Sequence, residues 1–258
     1  MTFPCHTYIA WEEAVRETMM DDKFPPGMIE EIERFLADDR EPPGLDLYPK
    51  VFETQLFFPL QRQAEMRRMI QLARTVKPKI VMEIGADKGG SLYHWCKCLP
   101  TVHTVIACEI RGTPYESIFE KVFPQIKFTW FPGSSRDKTL LKYLHNPILK
   151  QQVFIDVLFI DGDKGAFLED FDAYLPLMNP TGVVFMHDIN EGGSAMRRAF
   201  ETIKGRGYRT EDIIDVSDSD AAVARERAGT PPASPHEAWL RHWHGRSCGV
   251  GVIWMKGA

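Results

Sequence analysis

From residue 80 onward, short apolar runs alternate with stretches in which apolar positions recur at helical spacing. The runs occupy 80–84, 105–109, 128–131, 155–160 and 183–186. A strand with one face in water alternates apolar and polar residues, whereas a strand covered on both faces reads as a continuous apolar run. The pattern therefore predicts an α/β fold: a doubly wound, mainly parallel sheet with helices on both sides. Met66, Met69, Ile70, Ala73 and Val76 form one helical stripe, stopped by Pro78. Phe167, Phe171, Tyr174 and Leu175 form a second, and Met196, Ala199, Phe200 and Ile203 a third, both read as crossover helices.

The two ends depart from this rhythm. Residues 1–56 are rich in acid and proline, with short helical patterns at 11–20 and 28–36 separated by Pro25-Pro26-Gly27. They are read as a helical arm, with the main domain covering 57–258. A strand is expected within 208–216 and the last one at 250–255. Between them, 217–246 is read as an insertion, and 217–235, with its Asp-Ser-Asp-Ser-Asp and Pro-Pro, as a loop. The length suits one domain with two additions.

Composition narrows the partners. A hydrophobic fraction of 44% can build a core, and a net charge of -5 gives no footprint for a nucleic-acid backbone. No apolar stretch reaches the roughly 18 residues that span a bilayer. Glu12 and Glu13 fall where a signal peptide would be apolar, so a cytoplasmic protein with a small-molecule partner is expected. Cys5, Cys96, Cys98, Cys108 and Cys248 are odd in number and scattered, as reduced thiols would be. Cys96 and Cys98 with His94 lack a second ligand pair at zinc spacing, and His236, His242, His244 and Cys248 are too irregular to read as a metal site. Trp239 and Trp243 suit either a lid or a contact between subunits.

Candidate chemistry gathers at the ends of the strands, where open α/β sheets bind ligands. The first run ends in Glu83-Ile84-Gly85-Ala86-Asp87-Lys88-Gly89-Gly90-Ser91, a glycine turn that lets a ligand approach the backbone. Its spacing is neither Gly-x-Gly-x-x-Gly nor a P-loop, and a carboxylate there suits a cationic ligand better than a pyrophosphate. The second run ends in Glu109, which can accept ribose hydroxyls, and the third leads into Gly133-Ser134-Ser135. The fourth ends in Asp161-Gly162-Asp163-Lys164 and the fifth in His187-Asp188-Ile189-Asn190. If these last two tips are neighbours, Asp161 and Asp188 converge, and paired carboxylates are hard ligands suited to Mg²⁺.

On these stretches the sequence resembles the class I S-adenosylmethionine-dependent methyltransferases, and more closely the cation-dependent O-methyltransferases of catechol and caffeoyl-coenzyme A type. The resemblance implies a Rossmann-like sheet of seven strands, mostly parallel with one antiparallel. It implies S-adenosylmethionine as cofactor, bound by Glu83, Gly85, Ala86, Gly89 and Ser91 toward its methionine part, by Glu109 at the ribose, by Ser134 and Ser135 at the adenine, and by Asp161 near the sulfonium. It further implies a divalent cation, Mg²⁺, on Asp161 and Asp188, with Lys164 as general base toward the hydroxyl of a small acceptor of secondary metabolism. A lysine beside a cation should have a depressed pKa. A homodimer is expected.

One departure bears on the metal. The catechol-type pattern has Asn directly after the second Asp, where this chain has Ile189 and reaches Asn only at Asn190. His187-Asp188 is instead similar to bacterial methyltransferases of antibiotic and sugar biosynthesis and to cephalosporin-hydroxylase-like relatives. Because consecutive strand residues point to opposite sides, His187 and Asp188 should not both face one ligand unless the chain bends; His187 is then a base or a structural donor. An N-methyltransferase, a hydroxylase-like enzyme, a non-catalytic cofactor-binding protein and an NAD-binding protein are the alternatives.

Overall fold

Every apolar run becomes a strand because helices cover both faces of the sheet. The computed structural model describes residues 35, 47, 51–52, 59–111, 116–151, 154–190, 194–242 and 249–256. The helical pattern at 11–20, that at 28–36 apart from Phe35, and Cys5, Trp243, His244 and Cys248 lie outside the described residues. The strands are β1 (Ile80–Ile84), β2 (Thr104–Glu109), β3 (Lys127–Pro132), β4 (Ile155–Ile160), β5 (Met178–His187), β6 (Arg209–Ile213) and β7 (Val250–Trp254). They form one seven-stranded sheet in the order β3-β2-β1-β4-β5-β7-β6. β1 to β5 pair in parallel, and β7 alone runs against both its neighbours.

The helices are α1 (Gln63–Thr75), α2 (Gly90–Cys98), α3 (Glu116–Val122), α4 (Lys138–Gln151), α5 (Phe167–Tyr174), α6 (Ala195–Gly205), α7 (Ser217–Arg227) and α8 (Pro235–His242). Alternate strand residues divide the core in two. Val81, Val157, Phe159 and Phe185 pack with Met66, Met69 and Trp95 on one face. Met82, Leu158, Ile160, Val184 and Met186 pack with Phe171, Phe200 and Ile203 on the other. Trp95 stacks on Phe185 with centroids 5.9 Å apart, which seats α2 over the sheet centre. Truncating a fully buried aromatic such as Phe159 would cost about 3–5 kcal/mol.

The stretch 217–235, expected as a loop, instead opens with the 11-residue helix α7. It carries no apolar stripe, so hydrophobic patterning gave no sign of it. Charge sets it: Asp218 and Asp220 lie in its first turn, Arg225 and Arg227 in its last, each complementing the helix dipole. Ser219 and Ala222 are its buried residues, and Ala222 packs with Trp239 and Leu240 of α8. Trp239 is thus a packing residue of this pair.

Candidate active site

β1 ends at Ile84, and the chain then turns through three positive φ angles, at Gly85 (86°), Asp87 (41°) and Gly89 (81°). A Cβ on Gly85 would lie 2.7 Å from the Asp161 carbonyl and 2.8 Å from the Gly162 nitrogen, so the turn is pressed against the end of β4. Gly85 N–H donates to the Cys108 carbonyl and Asp161 N–H to that of Ile84, each at 2.8 Å. Gly85 is therefore required by backbone angle and by close approach together. Ala86 is buried within the turn, its carbonyl accepting from Gly89 N–H at 2.7 Å.

The acids beneath the turn differ in state. Glu83 is fully buried and accepts from the Ser91 hydroxyl. Burial drives its carboxyl well above the ordinary range, more than the Ser91 bond offsets. Glu109 accepts from Asp87 N–H at 3.0 Å and from Arg111 N–H at 3.3 Å, tying the end of β2 to the glycine turn. Ile110 beside it is 71% exposed, an apolar surface at the mouth of the site. Ser135 donates its hydroxyl to Asp170 at 2.7 Å, while the Ser134 hydroxyl accepts from Arg136 N–H at 3.3 Å.

The register of β4 and β5 pairs Ile160 with Met186, which sets Asp161 beside His187 one step further on. The bend that lets His187 and Asp188 face the same side is present here. Asp188 has φ of 61°, and this left-handed residue ends the strand and swings its carboxylate back toward the imidazole. Ligand atoms of Asp161, His187 and Asp188 all lie within 4.8 Å of one another. Nδ1 of His187 is 3.1 Å from Asp161 Oδ1 and 3.4 Å from Asp188 Oδ1. His187 is buried and the two aspartates are half-buried.

Lys164 places its Nζ 2.5 Å from Asp161 Oδ1 and 2.6 Å from Asp188 Oδ2. Burial alone would lower its pKa, but Asp161 and Asp188 outweigh that and raise it above the ordinary lysine value. Burial likewise opposes the charge on Asp161, and His187 with Lys164 overcome it, holding that carboxyl far below its usual range. As found, Lys164 is the counter-ion of both aspartates.

Sequence reasoning missed the side chains that α1 brings to this cluster. Gln61, just before the helix, donates from Nε2 to Asp161 Oδ2 at 2.8 Å. Glu65 is buried on the apolar face of α1 and accepts from Gly249 N–H at 2.8 Å. Burial, offset in part by His187, Arg62 and that bond, raises its pKa from 4.5 to about 7. The available signal was an acid inside the stripe of Met66, Met69 and Ile70. By contrast, His236 belongs to no cluster of metal-ligating groups among the described residues, and Cys96, Cys98 and Cys108 are buried thiols outside any disulfide.

Residues 82–189 match the model of a family described as a methyltransferase domain. Among solved structures, a candidate caffeoyl-CoA O-methyltransferase from Staphylococcus aureus is similar over 94% of this chain and 98% of its own, with 16% identity and a TM-score of 0.51, a likeness of fold. Also similar are an O-methyltransferase from Bacillus cereus in complex with S-adenosylhomocysteine (16% identity, 93% and 97% of the two chains, TM-score 0.47) and the O-methyltransferase TomG from Streptomyces achromogenes, involved in tomaymycin synthesis (18% identity, 74% and 78%, TM-score 0.48). The matched domain opens one residue before Glu83 and closes one after Asp188, so every expected site residue falls inside it. The chain thus carries a methyltransferase-domain match on a seven-stranded sheet whose strand order is that of the class I S-adenosylmethionine-dependent methyltransferase fold.

Proposed function

We propose that the enzyme methylates a hydroxyl of a small molecule at the tips of β4 and β5, with a divalent cation assisting. The observation that supports this most is the convergence of Asp161, His187 and Asp188 beside the glycine turn. Two carboxylates and an imidazole suit a divalent cation, and the imidazole extends the choice beyond Mg²⁺ toward Mn²⁺, Fe²⁺ or Zn²⁺. Asp161, His187 and Asp188 would hold the ion. Bound there, it would supply the Lewis-acid polarisation that lowers the pKa of the acceptor hydroxyl.

The remaining work falls to the chain itself. Methyl transfer from a sulfonium is an in-line displacement, so alignment and a deprotonated acceptor supply the rate. The turn from Gly85 through Ala86 to Gly89, with Glu83 and Ser91 beneath it, would cradle the methionine part. Glu109 would accept the ribose hydroxyls, and Ser134 and Ser135 would line the adenine edge, Ser135 through its lone pairs because its proton is given to Asp170. Lys164 takes a proton only once Asp161 and Asp188 have another counter-charge. In this reading 57–258 is the catalytic domain, 1–56 is an N-terminal helical arm and 217–246 is an insertion. The buried thiols suit the reducing cytoplasm, and in this reading the enzyme is a homodimer.

A second reading rests on the two Lys164 contacts: the lysine stays as sole counter-charge and His187 receives the hydroxyl proton without a metal. Transfer of radiolabelled methyl from S-adenosylmethionine to a panel of small phenols and polyols, with Mn²⁺, Mg²⁺ or excess chelator, separates the two. Hydroxyl methylation that stops in chelator is expected. A full rate in chelator supports the metal-free reading, and transfer to amines alone would contradict O-methylation.

A further inference from the structure

Three contacts tie the segment before α1 to the helix pair α7 and α8. His236 Nε2 lies 3.2 Å from the Gln61 carbonyl, Asp218 Oδ2 accepts from Gln63 N–H at 3.1 Å, and Asp218 Oδ1 lies 3.7 Å from the Arg62 guanidinium. A carbonyl only accepts, so Nε2 carries the imidazole proton. Burial lowers the His236 pKa to about 4, which keeps the ring neutral near pH 7. The ring is fixed on both sides, 4.6 Å from Phe52 and stacked at 5.5 Å on Trp239. Helices far along the chain thus hold a residue that touches the cluster.

What Gln61 does there follows from the carboxylate it meets. Asp161 Oδ1 faces Lys164 and His187, while Oδ2 turns away and takes the amide N–H of Gln61. A carboxylate has no proton to give, so the amide must present its NH₂. Gln61 is only 3% exposed, so water does not compete for that bond. A lone carboxylate can rotate about its last torsion and offer either oxygen. With Oδ2 anchored, Oδ1 alone is presented to the cluster.

We propose that Gln61 is a positioning residue that fixes the Asp161 carboxylate, and that the helix pair between β6 and β7 acts on the active site through it by way of His236. The inference rests on the reading of Asp161, His187 and Asp188 as a cation site. Partners of this kind, one step removed from an ion, are worth about 10–100-fold in metal affinity.

The test is calorimetric titration of the full chain with Mn²⁺ alone and, separately, with S-adenosylhomocysteine, together with the EPR spectrum of bound Mn²⁺. Gln61→Met keeps the volume and removes the donor. It should weaken Mn²⁺ binding about 10–100-fold and alter the spectrum, with S-adenosylhomocysteine affinity unchanged as the check on folding. His236→Ala should act in the same direction, and the double variant should be no weaker than Gln61→Met, because both losses pass through one bond. Mn²⁺ affinity unchanged in Gln61→Met, with Asp161→Asn abolishing it, would overturn this inference and leave the cation site standing. No Mn²⁺ uptake by the wild type, or equal uptake by Asp161→Asn, would overturn both.

Discussion

The two halves of the sheet end in acids of opposite character. At β1 and β2, Glu83 is held by a serine hydroxyl and Glu109 by backbone N–H groups, with the exposed Arg111 guanidinium 3.7 Å from Glu109 as a charged neighbour, and they shape a turn. At β4 and β5, Asp161 and Asp188 are held by Lys164 and His187, groups that carry or can take a positive charge. The first arrangement is finished as it stands. The second stores charge in a form that an incoming ligand can replace. Residue type does not distinguish them; burial and the partner's charge do.

The sharpest way to break this contrast is to neutralise one acid in each half. Asp188→Asn leaves Lys164 with half its counter-charge and removes one arm of the cluster. Turnover should fall about 10³-fold, while S-adenosylhomocysteine affinity, measured by calorimetry, stays within about threefold. Equal losses of affinity and turnover would show that the halves are not separate.

The legible part of the site was the part that physical pattern reaches. The glycine turn, Glu83, Glu109 and the pair Asp161 and Asp188 all sit at the ends of apolar runs, and those runs are long because both faces of the sheet are buried. Three things were not legible. The left-handed Asp188 is a single-residue bend with no glycine to announce it. Helix α7 has no apolar stripe and is set by charge at its ends. Gln61 lies 100 positions from Asp161, and its role depends on a contact that only the folded chain makes. The rise in the Lys164 pKa has the same origin, because both its acids come from separate strand ends.

A weaker effect comes from Glu65, which stands behind the second half. Its folded pKa of about 7 lies above the ordinary 4.5, so the folded state binds its proton more tightly than the unfolded state does. The stability this contributes is fully present below pH 4.5 and is lost as the pH rises to about 7. The loss is about 3 kcal/mol across that window by linkage. Denaturant unfolding at several pH values should show this slope in the wild type and a flatter one in Glu65→Gln. The same slope in both would place the titration elsewhere.

The smallest effect is expected in the first half. Burial favours the protonated form of Glu83, and Glu83→Gln keeps its size while removing only the charge that burial opposes, so it should shift stability by less than about 1 kcal/mol. A large loss in thermal unfolding would mean that Glu83 is ionised, and that the two halves are more alike than their contacts indicate.

The division between a finished cofactor half and an exchangeable catalytic half is tested most directly by a crystal structure of the full chain with S-adenosylhomocysteine and Mn²⁺. The adenosyl group should lie against Glu109 and the glycine turn, with Glu83 and Ser91 unmoved, the ion on Asp161, His187 and Asp188, and the Lys164 ammonium withdrawn from both aspartates. Lys164 still bridging Asp161 and Asp188, with no ion at the cluster, would contradict it.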